Sequence, residues 1–200
     1  MRLLLFIGCF LFSLTISAQW AEKAEDISPL LVGETMPDLP VQNLQGEQVS
    51  FLEVLSQRPS VVIVYRGGWC PYCTRHLAAI GQLESDLVEL GYQIIAISPD
   101  SPEKLEETVD KSELKYQIFA DPDGTLLNAI GLNFRAPERY GERLLGTSDG
   151  KNKGFLPVPS VFITSMEGNI LFEHISPNYK ERLSGDVLLA VTTALAGDSE

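Results

Sequence analysis

The chain has 200 residues, 44% hydrophobic and 21% charged, a composition that supports one domain with a proper core and is tight for two. A formal net charge of -12 excludes nucleic acid and anionic membrane surfaces as natural partners, because both repel a polyanion. The acidic residues are dispersed, so the charge by itself names no substrate.

Arg2 precedes the apolar run LLLFIGCFLFSLTI, which ends at the small residues Ser17 and Ala18. This is the layout of a secretory signal peptide, residues 1–18, cleaved after Ala18. A membrane anchor needs roughly 20 apolar residues and the run is shorter; a lipoprotein reading at Cys9 leaves too few apolar residues before it. The mature chain is therefore expected outside the cytoplasm, in a bacterial periplasm, with no membrane-spanning segment. Residues 19–35 read as a polar lead-in and 36–198 as the domain. Loss of Cys9 leaves two cysteines, Cys70 and Cys73.

In chain order, VQNLQGEQVSF alternates around Gln45-Gly46 and predicts a hairpin, followed by a helical turn through Leu52 and Leu55. SVVIVY after Pro59 is a β-branched run of the kind that is buried on both faces of a sheet. From Cys70, apolar residues at Leu77, Ile80, Leu83, Leu87 and Leu90 predict one amphipathic helix ending near Gly91. YQIIAIS predicts a second buried strand, and Ser101-Pro102-Glu103 starts a helix running to about Leu114. KYQIFADPDG predicts a third strand and TLLNAIGL a short helix. Residues 133–157 show no period and are expected as a long loop or insertion. VFITS and NILFEHI flank Met166-Glu167-Gly168 as a hairpin, and Ser184 caps a last helix. Strands alternating with helices give a parallel core, and the hairpin adds an antiparallel edge, so the fold class is an α/β sandwich with a mixed sheet.

The motif RGGWCPYC, residues 66–73, lies where a core strand gives way to a helix. A thiol acts as a nucleophile only as thiolate, and the start of a helix favours that charge. Pro71 fits the first helical position, and Cys73 lies one turn on, within disulfide reach of Cys70. Cys70 is the expected attacking thiol and Cys73 the resolving one. Thr74 stands where c-type haem attachment requires histidine. A zinc site lacks ligands, since the mature chain adds only His76 and His174 to the two cysteines besides carboxylates. A disulfide closing so short a loop stabilises little, so redox exchange is what remains, with no metal and no cofactor. Arg66 is a candidate for tuning Cys70, and Trp69 for shaping a substrate platform beside an exposed disulfide.

With these residues, GETMPDLPVQNLQGEQVSF, VVIVYRGGWCPYC, IFADPDGTLLNAIGL, LPVPSVFITSMEGNILFEH and PNYKERL follow in an order that resembles the thioredoxin-like superfamily, specifically the peroxiredoxin-like branch of the AhpC/TSA (redoxin) family. The resemblance implies a three-layer sandwich with a central mixed sheet and an N-terminal hairpin. It implies further that Pro159 is a cis proline facing the cysteines and that the backbone of Val158 pairs with a substrate polypeptide. The peroxiredoxin box P-x-x-x-T-x-x-C is broken, with Ile63 and Gly67 in place of its proline and threonine, and Pro159 stands where an arginine polarises peroxide. The expectation is thus a periplasmic thiol-disulfide oxidoreductase acting on a disulfide-containing protein, with a thiol electron donor or acceptor. The alternative is a thiol peroxidase reducing hydrogen peroxide or organic hydroperoxides. A third reading is a non-enzymatic binding or copper-delivery module.

Overall fold

A computed structural model describes residues 20–197. The expected leader at 1–18 lies outside the described residues.

The sheet is organised by the apolar runs. Strand β3, Ser60–Val64, is buried at every position. Successive side chains of a strand point to opposite faces, and here Val61 and Ile63 join one core cluster while Val62 and Val64 join the other. β4, Gln93–Ser98, divides likewise, Ile94 and Ala96 to one side and Ile95 and Ile97 to the other. Two buried faces require two covering layers. The first cluster is closed by helices α2, Pro71–Gly81, α4, Pro102–Ser112, and α7, Gly185–Gly197, through Leu77, Leu105 and Leu188. The second is closed by α1, Phe51–Leu55, and α5, Thr125–Ala129, with Met36 from the lead-in. Each such fully buried leucine contributes about 2 to 3 kcal/mol in apolar transfer.

Seven strands lie in the order β2-β1-β5-β4-β3-β8-β9. β3, β4 and β5, Gln117–Ala120, are parallel, and β8, Ser160–Thr164, runs antiparallel to β3. β9, Ile170–Ile175, completes the closing hairpin with β8. The N-terminal hairpin is β1, Pro40–Gln42, against β2, Gln48–Ser50. Its turn is tied by Asn43, whose Oδ1 accepts from the N–H groups of Gln45 and Glu47. This is the mixed three-layer sandwich expected from the sequence.

Two expectations are corrected. The single helix from Cys70 to Gly91 is two, α2 and α3, Glu84–Glu89. Leu83 N–H turns back to the Ile80 carbonyl at 2.9 Å, a three-residue step that interrupts the four-residue ladder next to Gly81, whose helix propensity is poor. Residues 133–157 are no unstructured loop. They form a two-stranded ribbon, β6, Asn133–Arg135, against β7, Phe155–Pro157, enclosing a 3-10 turn at Glu138–Tyr140 and helix α6, Gly141–Thr147. Buried Asn152 holds the return: its Oδ1 accepts from Gly154 and Phe155 N–H, and its Nδ2 donates to the Phe155 carbonyl. The lead-in docks on the same ribbon, Ala21 bridging to Phe134 and Trp20 stacking on Phe155 at 5.3 Å.

Candidate active site

The end of β3 delivers the motif. Tyr65 N–H still bonds to Ile97 O, and the chain then leaves the sheet through Arg66-Gly67-Gly68. This crossing is tight. Gly67 has φ +138, and a Cβ at Gly68 would fall 1.9 Å from Thr108 Oγ1 on α4. Asp100, buried after β4, accepts the Gly68 N–H at 2.7 Å and pins the loop. Trp69 follows, then Cys70 as the N-cap of α2, with Pro71 at the first helical position. Its carbonyl already accepts from Cys73 N–H at 3.0 Å and Thr74 N–H at 3.1 Å.

Both cysteines are free thiols, and each is only 1% exposed. The expected exposure at the motif is corrected, since Trp69 and Tyr72 pack against the cluster that contains both cysteines; the two thiols are the reduced form of the expected Cys70–Cys73 pair. The two thiols differ in acidity. The hydrogen bond from the Cys73 thiol draws the Cys70 pKa down to about 6 against the opposing effect of burial. The backbone N–H of Cys73, the charge of Arg66 and the N–H of Tyr72 add to the lowering. Cys73 is held protonated, first by burial and then by its bond to Cys70 and the Cys70 charge. A thiolate beside a thiol is the state from which Cys70 attacks and Cys73 follows.

Arg66 is 3% exposed and its Nε has no hydrogen-bond partner. Its guanidinium carbon lies 4.3 Å from the ring centroid of Tyr179, 5.0 Å from Tyr140 and 5.3 Å from Trp69. Trp69 thus spends its ring on Arg66 and Tyr140, with ring centroids 5.4 Å apart. On the other side Arg182 Nη2 donates to Cys73 Sγ at 3.6 Å. His76 is tied by Nε2 to the Leu183 carbonyl, and burial, with Arg182 and His174, holds its pKa down to about 4, so it is neutral at pH 7. Among the described residues, no group of three or more His, Cys, Asp and Glu side chains could hold a metal ion, and no helix is long and apolar enough to cross a membrane.

Val158 and Pro159 take different places from those expected. No peptide bond among the described residues is cis, so Pro159 is trans. The Val158 N–H donates to Leu132 O at 2.9 Å, its carbonyl accepts the Ser160 hydroxyl at 3.0 Å, and Pro159 O accepts the Ser176 N–H. The backbone that a substrate polypeptide was to pair with is already paired, because the unforeseen β6–β7 ribbon runs straight into β8. Val158 and Pro159 instead line a cavity of about 280 Å³, whose wall also includes Arg66, Tyr140 and Tyr179.

Tyr140, Tyr179, Arg182 and Asp100 were not singled out in the sequence. Tyr179 and Arg182 both lie in PNYKERL, a segment that carried the family resemblance, and that was the one available signal.

The sequence profile of the AhpC/TSA family matches residues 32–172. The chain belongs to the AhpC/TSA family. Peroxiredoxin Bcp of Escherichia coli strain K12 is 27% identical over 165 residues, 82% of this chain and 96% of that protein. The thiol-disulfide oxidoreductase ResA of Bacillus thuringiensis strain Al Hakam is 22% identical over 160 residues, 80% of this chain and 79% of that protein. Reduced Prx3 of Vibrio vulnificus shares the fold at TM-score 0.71 and 17% identity, covering 82% of this chain and 99% of that one. Peroxidoxin BcpB of Mycobacterium tuberculosis does so at TM-score 0.66 and 18% identity, covering 84% and 97%. As an AhpC/TSA member with this fold, the chain is a thiol-dependent oxidoreductase, of the peroxidase or the disulfide-exchange kind.

Proposed function

We propose that the protein is a thiol peroxidase of an extracytoplasmic compartment, which reverses the order of the two chemistries expected from the motif. The observation that carries this reading is the burial of Cys70 and Cys73, each residue 1% exposed, beside the buried Arg66. So little exposure disfavours the in-line approach of a disulfide in a folded protein more than that of a small peroxide, and the Val158 N–H and carbonyl are already engaged. The Cys70 thiolate attacks one peroxide oxygen, the O–O bond breaks, and water or an alcohol departs after protonation, leaving Cys70 as sulfenic acid. Cys73 then attacks the Cys70 sulfur, water is released, and an external thiol reduces the resulting disulfide. Each turnover moves two electrons to the peroxide from two external thiol groups, which end as a disulfide. The compartment is supported by the apolar leader alone.

Disulfide exchange is the second reading, favoured by Cys70 at the first position of a C-x-x-C helix with its pKa near 6. Purified mature protein with dithiothreitol tests the two: rapid peroxide loss that vanishes in Cys70→Ser is expected. Fast insulin reduction with negligible peroxide loss would overturn the proposal.

A further inference from the structure

The cavity of about 280 Å³ beside the motif carries an unusual charge for this protein. Lys23, Arg66, Arg135 and Arg139 line it against Glu22 and Glu25, in a chain of net charge -12. The Arg135–Glu22 pair at 3.2 Å is internally satisfied. Lys23, Arg66 and Arg139 have no salt-bridge partner among the described residues.

Arg66 is the decisive wall residue. A guanidinium removed from water without a carboxylate is costly, and aromatic faces compensate for only part of the loss, on the order of 2 kcal/mol each at best. Its Nε remains without a partner inside the protein. Apart from the tyrosines Tyr140 and Tyr179, the rest of the lining, including Phe134, Leu156, Pro137 and Pro177, is apolar. A cation at the inner end and an apolar body of wall suit a small organic anion. The volume gives room for on the order of ten non-hydrogen atoms.

We propose that this cavity is a binding site for a small organic carboxylate with an apolar body, its carboxylate on Arg66 and Arg139. The site lies beside the motif, since its wall residue Arg66 holds its guanidinium 5.3 Å from the ring of Trp69, the residue next to Cys70. Its ligand is accordingly a reactant, either a carboxylate-bearing hydroperoxide or a carboxylate-bearing thiol reductant. The assignment to a reactant rests on the peroxidase reading; the binding itself does not.

Phenylpropanoate, titrated into the mature protein by calorimetry, tests the binding whether or not the protein turns over peroxide. Saturable binding is expected, with the neutral phenylpropanamide weaker by at least about tenfold, the worth of a charge-assisted contact. Arg66→Gln should weaken the carboxylate by a similar factor. Because that residue is buried in its aromatic cage, the exposed Arg139→Gln serves as the second variant, and it should weaken the carboxylate without affecting the amide. No saturable binding, equal binding of acid and amide, or binding unchanged in Arg139→Gln would each overturn the site. In turnover, phenylpropanoate raising the KM for hydroperoxide identifies the substrate as its natural occupant. A rise in the KM for the thiol identifies the reductant. Binding that moves neither KM overturns the assignment to a reactant.

Discussion

Arg182 Nη2 donates to Cys73 Sγ at 3.6 Å, reaching the second thiol of the motif from 109 residues further along the chain. The contact lowers the Cys73 pKa against the burial that raises it. Cys73 must lose its proton to close the disulfide, so Arg182 assists the second step and not the first. Arg182→Ala is expected to leave the rate of Cys70 oxidation unchanged and to slow disulfide closure several-fold, because less Cys73 thiolate forms without the neighbouring cation. Rapid-mixing kinetics with a sulfenic-acid trap reads both steps. Equal slowing of both would refute the assignment.

Arg66 acts on the other sulfur. With the Cys70 pKa near 6, its alkylation by iodoacetamide should rise from pH 5 to 7 and level off, following the thiolate. Arg66→Gln removes one of the lowering influences and should move that midpoint upward, on the order of one pKa unit. Arg66→Lys keeps the charge but loses the planar stacking on Tyr179 and Tyr140, so it should restore the midpoint only in part. A midpoint unmoved in Arg66→Gln would show that the Cys73 hydrogen bond and backbone amides suffice.

Gly67 occupies the place of the threonine in the peroxiredoxin box, and the structure says why no threonine is there. Its φ of +138 is open to glycine, and a Cβ would lie 2.3 Å from Trp69 Nε1 and 2.8 Å from Asp100 Oδ1. Gly67→Thr should therefore lower stability by roughly 3 kcal/mol, combining backbone strain with overpacking, and should reduce peroxide turnover by displacing Trp69 from Arg66. Chemical denaturation and peroxide assays check this; a stable variant with faster turnover would contradict it.

How much of this was legible in the sequence depended on the range of the cause. The core of β3 could be read because Val61 to Val64 is a local run, and the placement of Cys70 because Pro71 and the apolar spacing beyond it are local too. The β6–β7 ribbon could not, since its strands are three residues long and Phe134 meets Leu156 across a polar excursion closed by Asn152. That omission produced the next one: without Leu132 as a partner, Val158 looked free to bind substrate. The Arg66 cage draws Tyr140 and Tyr179 from two separate segments, and residue type alone does not announce a tertiary cluster. The break between α2 and α3 was hidden because Leu83 keeps the apolar period while its N–H changes partner.

Two buried groups on opposite sides of the charge ledger make stability depend on pH in opposing ways. Burial pushes the Asp121 pKa from its ordinary 3.8 up to about 7, although its Oδ2 accepts the Leu127 N–H at 2.8 Å. Between pH 4 and 7 the native state then holds more protons at this site than the unfolded chain, so its contribution to stability falls as pH rises through that window. His76 has the opposite sign. Its native pKa near 4 lies below its ordinary 6.5, the unfolded chain binds the extra proton, and the stability it contributes is lost as pH falls through the same range. Asp121→Asn keeps a carbonyl oxygen for Leu127 and removes the falling component. Its urea midpoint should therefore rise more steeply than wild type from pH 4 to 7, the two curves separating most at neutral pH with the variant above. His76→Gln should do the reverse, flattening or inverting the rise while leaving the neutral-pH end little changed. Parallel curves for Asp121→Asn and wild type would show that Asp121 stays ionised across the range.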